Sequence, residues 1–161
     1  MKTVIQRVRS AKVEVDSEMV GSIEMGVLIF LGVEHGDTEG ELSWLVNKII
    51  DMRIFEDHDG KMNLSLQDIG GSALIVSQFT LLADCSRGRR PAFTDAADPA
   101  LAEKLYNRFI EEMETSSIPI SSGRFGADMQ VSLINDGPVT ILLNQKPKSA
   151  IADQRDSVKK R

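Results

Sequence analysis

Two short stretches of the 161-residue chain carry polar groups where chemistry could occur. The first is Ser77-Gln78-Phe79-Thr80, which ends an otherwise apolar run. Two hydroxyls, an amide and main-chain N–H groups at a strand end can form an oxyanion hole. Plain alternation at a sheet edge accounts for the same residues. Thr80 is a candidate nucleophile, but no base to activate it is visible beside it. The second is Gly137-Pro138 within "LINDGPVTIL". Asp136-Gly137 between apolar runs signals a tight hairpin, yet Pro138 cannot donate to a strand ladder. A Gly-Pro bond can be cis at modest cost, which points adjacent carbonyl oxygens nearly the same way. Such a pair would accept a substrate ammonium, and Gly137 lets main chain approach a ligand. A plain turn before a strand explains the dipeptide equally well.

Other chemistries lack their motifs. There is no glycine-rich phosphate cradle, no serine-esterase elbow, and no Cys or His spacing suited to a metal. His35 and His58 read as turn residues. No cofactor and no metal is expected. Net charge is −5, which weighs against a broad nonspecific nucleic-acid binder. A local basic patch exists at Arg87, Arg89 and Arg90, suited to phosphate contacts; a solvated loop with arginine packed on Phe93 is the simpler reading. Lys146, Lys148, Arg155, Lys159, Lys160 and Arg161 make a basic tail. Cys85 is the lone cysteine, so no internal disulfide can form. No apolar run is long enough for a bilayer and no signal core opens the chain, so no membrane partner and a cytoplasmic location are expected.

The elements that would position these residues follow from periodicity. Alternation over residues 2–15 predicts a long strand with a phase slip near Ser10-Ala11. Residues 20–23 form a short strand, and the continuous apolar run Met25–Val33 a strand covered on both faces. Thr38 and Glu41 form a capping box before an apolar stripe of Leu42, Leu45, Val46, Ile49 and Ile50. Asp59-Gly60 marks a hairpin. Gly70-Gly71 precedes a strand through "SALIVSQFTLL". Asp98 and Pro99 open a second helix, with Leu101, Leu105, Phe109 and Met113 inward. Two strands, 128–135 and 138–144, flank Gly137-Pro138. No alternating βαβ pattern is read. The fold expected is α+β: a curved antiparallel or mixed sheet forming a barrel-like core with two covering helices. It is one domain over 1–161, with 145–161 an extended tail.

Taken together, "VSQFTLLAD" (76–84), "GRRPAF" (88–93) and "NDGPVT" (135–140) resemble the motifs of the D-aminoacyl-tRNA deacylase family. "MKTVIQRVRSAKVEVD" and "MRIFEDHDGKMNLSLQDIGG" are also similar, so the resemblance spans residues 1–144. It implies a homodimer in which Gly137-Pro138, as a cis dipeptide, enters the other subunit's pocket and tests chirality. It implies that Ser77, Gln78, Phe79 and Thr80 line the pocket for the terminal adenosine and ester, and that Arg7 and Met129 brace the dipeptide. The implied reaction is hydrolysis of D-aminoacyl-tRNA, with glycyl-tRNA also admitted. Backbone N–H groups near Phe79 and Thr80 would hold the oxyanion, and the ribose 2′-hydroxyl would assist the water. Arg87, Arg89 and Arg90 would contact tRNA phosphates. Cys85 and the long tail depart from the family pattern. Three alternatives stay open: a noncatalytic RNA-binding barrel, disfavoured by 5% aromatic content; a related deacylase with relaxed chirality; and a threonine-nucleophile esterase.

Overall fold

The computed structural model describes residues 1–146. The basic positions Lys148, Arg155, Lys159, Lys160 and Arg161 lie outside the described residues, as does nearly all of the expected tail.

Strand β1 (Lys2–Val15) is the spine of the sheet. One of its edges is shared by β2 (Glu18–Ile23) and β3 (Gly26–Gly32), both antiparallel to it. Its other edge carries β8 (Gln130–Asn144) along nearly its whole length. The register slips on either side of Val8, so the irregularity falls at Arg7–Arg9, slightly before the Ser10-Ala11 step where alternation breaks. The slip changes which core the strand serves. Ile5 packs under the helices, whereas Ala11 and Val13, of the same parity, enter the barrel interior.

β3 continues to β6 (Ser72–Ser77) and β6 to β7 (Ile120–Ser122), both pairings parallel. This corrects the expectation that βαβ units are absent. The β3–β6 crossover contains α1 (Glu39–Asp51), and the β6–β7 crossover contains α2 (Pro99–Glu114). A small hairpin of β4 (Phe55–Glu56) and β5 (Met62–Leu64) sits between α1 and β6, at the Asp59-Gly60 signal. The Ser121 hydroxyl donates to the Ser22 carbonyl at 3.0 Å, bringing β7 against β2 and nearly closing the sheet into a barrel.

The central strands are apolar throughout because both faces are covered. Val27, Ile29, Leu31, Ala73 and Ile75 meet the helices, while Leu28, Leu74 and Val76 fill the barrel. Each fully buried aliphatic side chain contributes roughly 1.5–3 kcal/mol. α1 opens on the expected capping box: the Gly40 N–H donates to Thr38 Oγ1 (3.2 Å) and the Thr38 N–H to Glu41 Oε2 (2.9 Å). α2 opens with the Leu101 N–H donating to Asp98 Oδ1 at 3.2 Å. Its buried stripe is Leu105, Tyr106, Phe109 and Met113; Leu101 is only partly covered. Two further expectations are corrected. The strand through 72–82 ends at Ser77, where the chain tightens into a 3₁₀ turn, Phe79–Leu82. The two strands flanking Gly137-Pro138 are one strand, β8, because both halves pair with β1 rather than with each other.

Candidate functional site

Ser77 closes β6, and the Gln78 N–H still bonds to the Leu31 carbonyl of β3 at 2.8 Å. The 3₁₀ turn then begins, anchored by buried Leu82. The Leu81 N–H bonds back to the Gln78 carbonyl (3.3 Å) and the Ala83 N–H to the Thr80 carbonyl (3.1 Å). Phe79 and Thr80 stand at the start of this turn, so their N–H groups have no acceptor within it. The Gln78 side-chain amide donates to Thr80 Oγ1. An amide cannot take a proton, so this neighbour does not activate Thr80 as a nucleophile.

A cavity of about 530 Å³ opens beside this strand end. Ser77, Gln78 and Phe79 line it together with Tyr106, Phe125 and Met129. Phe79 is 58% exposed and meets Phe93 edge-on at 5.0 Å. Phe93 thus packs on a residue that lines the cavity. It follows a loop pinched at its base, where the Asp84 N–H donates to the Ala92 carbonyl (2.7 Å) and the Ala92 N–H to that of Asp84 (2.9 Å). The Ser86 N–H bonds Asp84 Oδ1 at 2.8 Å, and this bond holds the Asp84 carboxyl below its usual range. Arg87, Arg89 and Arg90 stand exposed on this loop with Cys85.

Gly137-Pro138 occupies a different place. Gln6 pairs with Thr140 and Val8 with Asn135, so Asp136–Val139 bulge out opposite the single residue Arg7. The Gly137–Pro138 bond is cis and Gly137 has φ +127°, a conformation side chains rarely adopt. Arg7 is buried against this excursion. Its Nε donates to the Asp136 carbonyl at 2.9 Å and its Nη1 to the Ile54 carbonyl at 2.7 Å. A Cβ on Gly137 would stand 3.0 Å from Arg7 Nη2. Asp136 also faces two cations, Arg7 Nε at 3.3 Å and Arg9 Nε at 3.2 Å. Val139 is buried and roots the far side of the bulge, while Gly137 and Pro138 are exposed.

Within one chain, then, Arg7 bonds the carbonyl of Asp136 just before the dipeptide, Met129 lines the cavity, and the dipeptide is not among the cavity's lining residues. His35 and His58 lie in or beside turns. Asp57, His58 and Asp59 are the only group of metal-ligand type found among the described residues. The Asp57 carboxylate there already accepts the N–H groups of Asp59 and Lys61. Sequence reasoning missed Tyr106, Phe125 and Asp136. An aromatic on a helix's apolar face reads as core, and nothing in its spacing separates it from Phe109.

The chain matches the family described as D-Tyr-tRNA(Tyr) deacylase over residues 4–144. It belongs to that family. Membership makes it an enzyme, a hydrolase of the deacylase class. The D-aminoacyl-tRNA deacylase of Thermosipho africanus is 53% identical over 146 residues, covering 91% of this chain and 98% of that protein. That of Fusobacterium nucleatum is 55% identical over 146 residues, covering 91% and 97%. A solved structure titled "c-Myc DNA Unwinding Element Binding Protein" is 42% identical, with TM-score 0.86, covering 91% of this chain and 100% of that one. A probable eukaryotic D-amino acid tRNA deacylase shares the fold at TM-score 0.74 and 18% identity, covering 88% and 97%. Among the described residues of this deacylase-family chain, no helix is long and apolar enough to cross a membrane.

Proposed function

We propose that the protein hydrolyses the ester linking a D-amino acid to the terminal ribose of tRNA, and that of glycyl-tRNA, releasing amino acid and tRNA. The observation that carries this reading is the pairing of two features in a family-matched chain. One is a polar strand end, Ser77–Thr80, opening on a cavity with aromatic walls. The other is an exposed Gly137-Pro138 held by buried Arg7. Water adds to the ester carbonyl, the oxyanion lies against the N–H groups of Phe79 and Thr80, and collapse expels the ribose oxygen, which takes up a proton. The neighbouring 2′-hydroxyl positions the water. Removing one oxyanion donor of this kind typically slows turnover about 10²–10³-fold.

Chirality is judged across a homodimer. The Gly137-Pro138 of one subunit enters the partner's cavity, where its carbonyl oxygens take the substrate ammonium and its bulk excludes an L side chain. Glycine has nothing to exclude. Exposed Ile134 (59%) and Leu142 (72%) on β8 support burial of this surface in a second copy. Arg87, Arg89 and Arg90 hold tRNA phosphates.

Hydrolysis of D-Tyr-tRNA, L-Tyr-tRNA and Gly-tRNA, with the mass in solution measured alongside, tests the proposal. Rapid release from the first and third but not the second, by a dimer, is expected. Equal cleavage of the two mirror-image substrates removes the chirality step. The name of the DNA-binding relative favours a second reading, a noncatalytic nucleic-acid binder. Binding of tRNA without ester cleavage would establish that reading in place of the first.

A further inference from the structure

Tyr106 is the chain's sole tyrosine. It lies in α2, only 2% exposed. Its hydroxyl donates to the Ile75 carbonyl at 2.9 Å, and the Gly123 carbonyl lies 3.4 Å away. Those carbonyls lie just outside the cavity lining, on two neighbouring segments whose later residues line it. Ile75 is two residues before Ser77 on β6, and Gly123 begins the connection that carries Phe125 and Met129. The two segments already meet here, because the Gly123 N–H also donates to the Ile75 carbonyl at 2.9 Å. The tyrosine ring packs on Phe125 with centroids 5.7 Å apart. Gly123 is pressed against Met129: a Cβ at position 123 would stand 2.7 Å from the Met129 sulfur.

A phenylalanine would fill the same apolar space. The hydroxyl costs free energy on burial unless it is bonded, so its bonds must carry its role. Burial, opposed by hydrogen bonds to Ser122 and Gly123, pushes the phenol up to about 12, so it remains a donor at neutral pH.

We propose that Tyr106 is a positioning residue that sets the width of the cavity, by tying the end of β6 to the 123–129 segment. The kinetic consequence rests on the deacylase reading; the structural one does not. A looser cavity weakens substrate and transition state alike, which raises KM and spares kcat.

Tyr106→Phe removes the hydroxyl and keeps the ring. In the full chain, amide exchange at Gly123 and Ala127 should quicken about fivefold, the worth of one hydrogen bond, while amides of α1 keep their rates. KM for D-Tyr-tRNA should rise about three- to tenfold, with kcat changed by less than about twofold. Ile49→Val, in the α1 core, is the control for lost stability and should leave KM unchanged. Unaltered exchange at Gly123 and Ala127 overturns the proposal, and so does a fall in kcat at constant KM. If the unmodified protein cleaves no D-aminoacyl-tRNA, the functional reading fails while the exchange experiment still decides the role of Tyr106.

Discussion

Arg7 and Thr80 separate what a side chain does here from what the main chain does. Arg7 holds Asp136 and Ile54 through their carbonyl oxygens, so its removal frees the excursion and strands one buried acceptor, at Ile54, and one partly buried, at Asp136. Leaving such an acceptor unpaired costs roughly 1–3 kcal/mol. Arg7→Lys keeps a charge but loses the planar fork. The ratio of D- to L-Tyr-tRNA hydrolysis should then fall about tenfold or more, with a lower Tm. An unchanged ratio would detach Arg7 from stereoselection. Thr80→Ala keeps the N–H and loses only the hydroxyl, so activity should drop less than about tenfold and no acyl-enzyme should accumulate. Total loss of activity with a trappable acyl-enzyme would make Thr80 the nucleophile. Both stretches were legible in the sequence because their polarity interrupts apolar runs. Tyr106 was not, since its task depends on carbonyls contributed by two distant segments.

Among the elements, α1 was readable from Thr38 to Ile49 because capping box and stripe agree. Burial raises the Glu41 carboxyl, but hydrogen bonds from the Thr38 side chain and backbone outweigh it and hold it below its ordinary value. A carboxyl depressed in the folded state adds stability above its unfolded pKa and loses it as pH falls through the folded one. Thr38→Ala should cost about 1 kcal/mol at neutral pH. The gap in Tm between the two proteins should narrow as the solution is acidified below the usual glutamate range. A gap that widens on acidification would contradict the cap's role. β7 was not readable: Ile120–Ser122 has no periodicity of its own and is a strand because β6 offers it an edge. Without β7 the second parallel crossover could not be recognised, and in the first the β4–β5 hairpin stands between α1 and β6 and interrupts the βαβ pattern. β8 read as two strands because Asp136-Gly137 is a genuine local hairpin signal, overridden by β1 pairing with both halves.

At the scale of the molecule, net charge −5 and the exposed Arg87, Arg89 and Arg90 must be reconciled. A basic tip on an acidic body attracts phosphates locally and repels nucleic acid elsewhere. Replacing all three arginines with alanine should raise KM for aminoacyl-tRNA. It should also flatten the dependence of log affinity on log salt, by up to about 0.7–0.9 for each phosphate no longer neutralised. A salt slope equal to that of the unmodified protein would leave these arginines without a part in tRNA binding. The barrel-like sheet with two covering helices was foreseen, because two-sided apolar runs and amphipathic helices admit few arrangements.

The excursion at Asp136–Val139 stands outside the ladder that builds the scaffold. Asn135 and Thr140 pair with Val8 and Gln6 on either side of it. What can stand at its exposed tip is limited by Arg7 and by the φ of +127° at Gly137, not by the pairing of the barrel strands. If the deacylase reading holds, substrate choice and barrel architecture answer to different residues, and one can change while the other stays.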